Sequence, residues 1–211
     1  MRIKSWRKFF ESVEDFNDLV KFNTTDVENE NILLEDFFNK NNKLSSIGTI
    51  EQYKEYLKGI FPNSKVGGIW QHISPQLFDF NRYGGGNFGK GYYFSKIGDD
   101  YGSYNSENIK FRNLVKLNVI SPILGKPGEA TQYIYKRLSD KFGSDKEFYP
   151  GEPEWVDVEN EFVEINKKRC DAIVGGVNGN LDSEICLFDK EKIYLLGSQD
   201  DINGFEKFIK R

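Results

Sequence analysis

The chain has 211 residues, 38% of them hydrophobic and 15% aromatic, enough to bury one sizeable core or one core with a small appended unit. Its 29 basic and 33 acidic side chains leave a net charge of -4, which argues against a surface built to neutralise phosphate backbones broadly. The longest apolar runs, such as Ile173 to Val177, fall far short of the roughly 20 residues of a membrane span, and the start MRIKSWRKFF lacks a secretory apolar core; a cytoplasmic protein with no membrane partner is expected.

In chain order, Trp6, Phe9, Phe10, Val13, Phe16, Leu19 and Val20 recur at three- and four-residue spacing, the pattern of one helix face. Ile32 to Phe38 and Ile50 to Ile60, with Tyr53, Tyr56 and Leu57 on one side, repeat it. Residues 1–62 are therefore expected to form a helical N-terminal unit that packs its apolar stripe against the rest of the chain. From Gly67 onward, short aromatic and β-branched runs alternate with glycine, proline and asparagine. Strands are expected over Gly68 to His72, Gly91 to Ser95, Asn113 to Ile120, Ala172 to Val177, Glu184 to Phe188 and Ile193 to Leu196, with a helix over Gln132 to Phe142 and a loop at FYPGEPEW. Helices first and short strands afterwards indicate an α+β fold. Cys170 and Cys186 lack the C-x-x-C spacing and any nearby histidine, so no metal site or disulfide is expected and both read as small buried hydrophobes. Histidine chemistry has one candidate, His72, the chain's single histidine.

The stretch YGGGNFGKGYYFS comes within one residue of a phosphate loop, because Gly84-x4-Gly89-Lys90 is followed by Gly91 where that loop needs Ser or Thr. A phosphate loop also opens a helix, whereas here the aromatic run Tyr92-Tyr93-Phe94-Ser95 follows and favours a strand. The alternative is a flexible turn at glycines 84 to 86, with Gly89 and Gly91 letting a strand pass close to a ligand. Partners for such a site stand in GIWQHIS before the loop and LDSEICLFD near the end.

Taken in order, WQHISPQLFDF, GKGYYFSK, CDAIVG and SEICLFDKEKIYLL resemble the ADP-ribosyltransferases of the diphtheria-toxin and poly-ADP-ribose-polymerase branch, especially short bacterial and phage-encoded members. The resemblance spans about residues 67–198 and implies a split β-sheet core within a catalytic domain at 63–211, with NAD+ as substrate and no metal. It implies that His72 holds a ribose hydroxyl, that the backbone of Ile73 bonds the nicotinamide amide beside Ser74, and that Tyr93, in the strand opened by Gly91 and ended by Ser95, stacks on the nicotinamide. Tyr101 or Tyr104 would be the second stacking tyrosine, and Glu184 the catalytic glutamate. Ile73 departs from the family's usual glycine. The arginine-modifying branch fits poorly, since Asp182-x-Glu184 only approximates its Glu-x-Glu and no Ser-Thr-Ser occurs. Lys90 reads as a contact to the NAD+ diphosphate or as a solvated loop charge.

These residue types suit the chemistry. Breaking the nicotinamide–ribose bond builds positive charge on the ribose, which a carboxylate stabilises more in the transition state than in the ground state. Aromatic faces hold the flat nicotinamide at about 0.5 to 1.5 kcal/mol per stacked pair beyond burial. The resemblance, with the small size, implies a single transfer to a protein acceptor by a toxin or phage effector. It leaves open a nucleic acid or water as acceptor (the latter an NAD glycohydrolase), and an inactive binding or virion module.

Overall fold

The computed structural model describes residues 24–74, 78–81, 84–97, 111–126, 128–175 and 184–211; the stretch from Trp6 to Val20, Tyr101 and Tyr104 lie outside them. The described chain opens with helices α1 (Thr24–Lys40), α2 (Asn42–Ser45) and α3 (Ile50–Lys58). Strands β1 (Trp70–Ser74), β2 (Tyr92–Lys96), β3 (Phe111–Leu117) and β4 (Pro122–Leu124) follow, then helices α4 (Glu129–Phe142) and α5 (Pro153–Lys167). Strands β5 (Ala172–Gly175), β6 (Glu184–Leu187) and β7 (Ile193–Leu195) precede the last helix, α6 (Gln199–Ile209). The fold is α+β: among the described residues seven strands join in one sheet, in the order β4-β5-β6-β2-β1-β3-β7, and of their pairs only β4–β5 is parallel. No helix among the described residues is long and apolar enough to cross a membrane.

All six expected strands appear with shifted ends, and β4 is an addition, a three-residue edge strand that begins at Pro122, where no ladder N–H is needed. The loop expected at FYPGEPEW ends early, because α5 starts inside it at Pro153. Proline suits a first helical turn, where its missing N–H would be an orphan anyway. Trp155, Val158, Phe162 and Val163 then recur on one buried face. Helix α6 has no counterpart in the sequence reading; Ser198 caps it by accepting from the Asp201 N–H, and Phe205 is its buried anchor.

Strand alternation divides the core in two. Trp70, Phe94, Val115, Val174 and Ile185 point to one face of the sheet and cluster there. On the other face, α4 and α5 cover the β4–β5–β6 half around Phe88, Phe162, Ile173 and Cys186, while α1, α3 and α6 cover the β3–β7 end around Leu34, Tyr53, Leu114 and Phe205. The N-terminal helices thus share a core with the C-terminal one. Both cysteines are buried and free, as expected.

Helix α3 is set by a complete capping box between Thr49 and Gln52 and by Lys116 of β3, whose Nζ donates to the Leu57 carbonyl at 2.7 Å. Its deepest tie is polar. The fully buried Asp201 carboxylate accepts from the Tyr53 hydroxyl and from the Gly197 N–H, and Tyr56 and Tyr194 pair their hydroxyls beside it. Gly204 leaves the room for that pair, since a Cβ there would run into the Tyr56 hydroxyl.

Burial raises the Asp201 pKa above its ordinary 3.8, against the opposing pull of the Tyr53 and Gly197 hydrogen bonds. The folded state therefore holds this proton more tightly than the unfolded chain, and the group's contribution to stability is lost as pH rises through the folded pKa. Asp201→Asn keeps an oxygen acceptor and has no charge to desolvate. Its unfolding free energy relative to the native protein, from urea titrations, is expected to improve as pH rises from about 4 to about 7; a constant offset would show that this carboxyl does not titrate with folding.

Candidate active site

Three motifs far apart in the chain stand on three adjacent central strands. Register pairs Gln71 with Ser95, Ser95 with Glu184, and Glu184 with Gly175, so these four positions form one row across β1, β2, β6 and β5. Directly paired residues share a face with Cβ atoms about 4.5–5.5 Å apart. Tyr93 lies on that same face, opposite Cys186 and diagonal to Glu184. Gln71 is 1% exposed; its Nε2 donates to the Lys96 carbonyl at 2.9 Å, and its Oε1 has no partner.

The glycine loop closes over this row. Gly84 and Gly91 form an isolated bridge, with the Gly91 N–H donating to the Gly84 carbonyl at 2.9 Å, and Gly86 and Gly89 bond each other's main chain. At the tip, the Asn87 carbonyl accepts from the Ala130 N–H at the start of α4. The Phe88 ring, 1% exposed, sits against Gly125 and Gly175, where any Cβ would collide with it. The Tyr93 hydroxyl accepts from the Phe88 N–H at 3.0 Å and donates to the Gly89 carbonyl. The flexible turn expected from the glycines is instead a loop pinned at its base and its tip. Gly89 has φ of +80°, which glycine adopts without strain.

Glu184 opens β6 half-buried, and Asn87 Nδ2 donates to its Oε2 at 3.2 Å. Burial holds the Tyr93 phenol protonated, with Cys186 and, more weakly, the Glu184 charge adding to the effect. Burial pushes the Cys186 thiol up in the same way and takes Cys170 to about 12, so neither is a nucleophile near neutrality.

His72 occupies a different position. Alternation along β1 sets it with Trp70 on the face opposite Gln71, Ser95 and Glu184. The β1–β2 ladder stops after Trp70↔Lys96 and Gln71↔Ser95, and beyond that point His72 Nδ1 meets the Tyr93 carbonyl at 2.9 Å. A carbonyl only accepts, so Nδ1 carries the proton and Nε2 presents a lone pair. Burial depresses the His72 pKa, outweighing the Tyr93 carbonyl, so the ring is neutral at pH 7. Phe78 and Phe94 pack edge-on against it, with centroids 5.0 and 6.0 Å away.

Of the expected site residues, Tyr93, Ser95 and Glu184 share one face, His72 stands at the junction with β1, and Ile73 and Ser74 continue β1 beyond that junction. The smallness of Gly91 is accounted for by Cys186, whose sulfur a Cβ there would strike. Lys90 lies 3.7 Å from the buried Glu159 carboxylate, so it is an ion-pair partner and not a solvated loop charge. Gln71, Asn87 and Phe88 escaped the sequence reading; only the lone polar Asn87 among glycines offered a signal. Among the described residues no three His, Cys, Asp or Glu side chains cluster as metal ligands.

No family model, curated protein or solved structure matches this chain. The arrangement offers an oriented carboxylate, a neutral imidazole acceptor and a pinned aromatic loop beside an interrupted ladder.

Tyr93→Phe separates two uses of that ring. It keeps the aromatic face for a ligand but removes both hydrogen bonds to the loop, at a cost of roughly 1–3 kcal/mol. A lowered melting temperature with faster amide exchange at Phe88 and Gly89 is expected; unchanged exchange would show that the hydroxyl does not anchor the loop.

Proposed function

We propose that the protein is an NAD+-dependent mono-ADP-ribosyltransferase that releases nicotinamide and transfers ADP-ribose to a protein acceptor, with Glu184 as the catalytic carboxylate. The observation that carries this reading is the convergence of three of the four resembling stretches on adjacent strands β1, β2 and β6, with Glu184 and Tyr93 on one face and His72 at the β1–β2 junction. An ADP-ribosyltransferase fold, with its sheet parting where the β1–β2 ladder ends, is part of the same proposal.

The ladder's end matters for binding. Continuing its register would set Ile73 opposite Tyr93, yet the His72 ring takes the Tyr93 carbonyl there. The main chain of Ile73 then borders a gap between strands, the place for a carboxamide that both donates and accepts. His72 Nε2 accepts a hydrogen bond from a ribose hydroxyl, a task its neutral state suits. Tyr93 offers the nicotinamide the part of its ring not covered by Gly86 and Phe88.

In the reaction, the bond between nicotinamide nitrogen and ribose C1 breaks with its electron pair going to the ring nitrogen, and nicotinamide leaves neutral. Positive charge grows on the ribose, and the Glu184 carboxylate stabilises it. An acceptor lone pair then bonds C1, and the acceptor's proton is lost.

Labelled NAD+ incubated with the protein in cell lysate is expected to mark a discrete protein band, and Glu184→Gln to reduce that labelling by on the order of 10²–10³-fold or more. Nicotinamide release without a band would move the acceptor to water or nucleic acid, and no turnover would end the enzymatic reading. His72→Ala is expected to weaken NAD+ binding measured by calorimetry by about tenfold, one lost hydrogen bond of roughly 1.4 kcal/mol; equal affinity would remove His72 from the site.

A further inference from the structure

We propose that Asn87 is a positioning residue for Glu184, and that the glycine loop exists to hold it there. The proposal rests on the reading of Glu184 as the catalytic carboxylate and assigns the loop a role that neither a phosphate site nor a ligand approach supplies.

The geometry points to Asn87 through what its neighbours already do. Phe88 is committed to the slot at Gly125 and Gly175, and its N–H is taken by the Tyr93 hydroxyl. The Gly86 and Gly89 main chains are committed to each other, and the Asn87 carbonyl to Ala130. With the backbone thus immobilised on the sheet, on Tyr93 and on α4, the Asn87 side chain is directed to Glu184 Oε2 at 3.2 Å. A carboxylate oxygen accepts, so the amide end facing it is the NH2, a neutral donor.

Such a donor does two things at once. It favours the ionised form of Glu184, which the oxocarbenium-like state requires, and it restricts the carboxylate to one rotamer across the row from Ser95. A lysine or arginine in its place would favour ionisation more strongly but would place a cation beside the charge that the transition state builds. Outer-shell partners that orient metal ligands typically account for about 10–100-fold in activity, and an effect of that order is expected where a side chain orients a catalytic carboxylate.

The test pairs kinetics with a direct observation of the carboxyl group. Asn87→Ala and the isosteric Asn87→Asp are made in the full chain labelled with carboxyl-13C glutamate, and the Glu184 signal is identified by its loss in Glu184→Gln. Asn87→Ala is expected to lower kcat about 10–100-fold with KM for NAD+ within about twofold. The Glu184 titration midpoint is expected to rise in Asn87→Ala and further in Asn87→Asp, where two carboxyl groups share a proton, with the acid limb of the pH–rate profile following. An unchanged Glu184 titration in both variants overturns the proposal, as does a loss confined to KM. Should the wild-type chain show no NAD+ turnover while the titration still shifts, the transferase reading falls and the Asn87–Glu184 coupling stands. Asn87→Asp keeps the side-chain shape, so it supplies the titration result even if Asn87→Ala melts early.

Discussion

The Phe88 ring fills a slot that exists because two positions on neighbouring strands, Gly125 after β4 and Gly175 at the end of β5, carry no side chain. Nearly everything at the site follows from that contact. With the ring seated, the glycine loop lies across the sheet, the Tyr93 hydroxyl meets two of its main-chain groups, and Asn87 reaches Glu184. Packing of one aromatic side chain thereby sets the position of a polar group that meets Glu184 on the adjacent strand. This is how an apolar contact without direction acquires directional consequences: once the ring is immobile, the hydrogen bonds around it have one geometry available.

A second constraint comes from the sheet's own alternation. Because successive side chains face opposite ways, Glu184, Ser95 and Gln71 can form one row only while His72 faces away from it. A continuous ladder would separate imidazole and carboxylate by the thickness of the sheet. The β1–β2 ladder ends early, and just beyond that point the His72 ring meets the Tyr93 carbonyl of the neighbouring strand. Its neutrality is a result of burial among Phe78 and Phe94, and its tautomer a result of the carbonyl it faces.

The helical segments bear on the site from the side. Tyr53 and Tyr56 of α3 meet Asp201 and Tyr194 in a buried polar cluster that joins the beginning of the described chain to its end. The Tyr53 hydroxyl and the Gly197 N–H both meet the Asp201 Oδ2, while its buried Oδ1 has no partner, a desolvation cost that fits the raised pKa of this carboxyl. The cluster holds β3 and β7, and through β3 the first strand that carries Gln71 and His72.

Much of the architecture was legible in the residues themselves. Alternating apolar runs marked six of the seven strands, and the absence of a hydroxyl at Gly91 with the strand-forming Tyr92 to Ser95 excluded a phosphate loop. The buried stripe of α5, with Trp155, Val158, Phe162 and Val163 at helical spacing, was equally available there, but the prolines and glycine just before it masked the start of the helix. Local chemistry determined these features, because strand and helix periods and turn residues act over a few positions. Register, the face on which each side chain emerges and the slot beneath Phe88 depend on residues scores of positions apart. Only the tertiary structure decided that Asn87 meets Glu184, that Lys90 pairs with Glu159, and that Gly91 makes room for the Cys186 sulfur, since each is a contact between segments that sequence spacing does not relate.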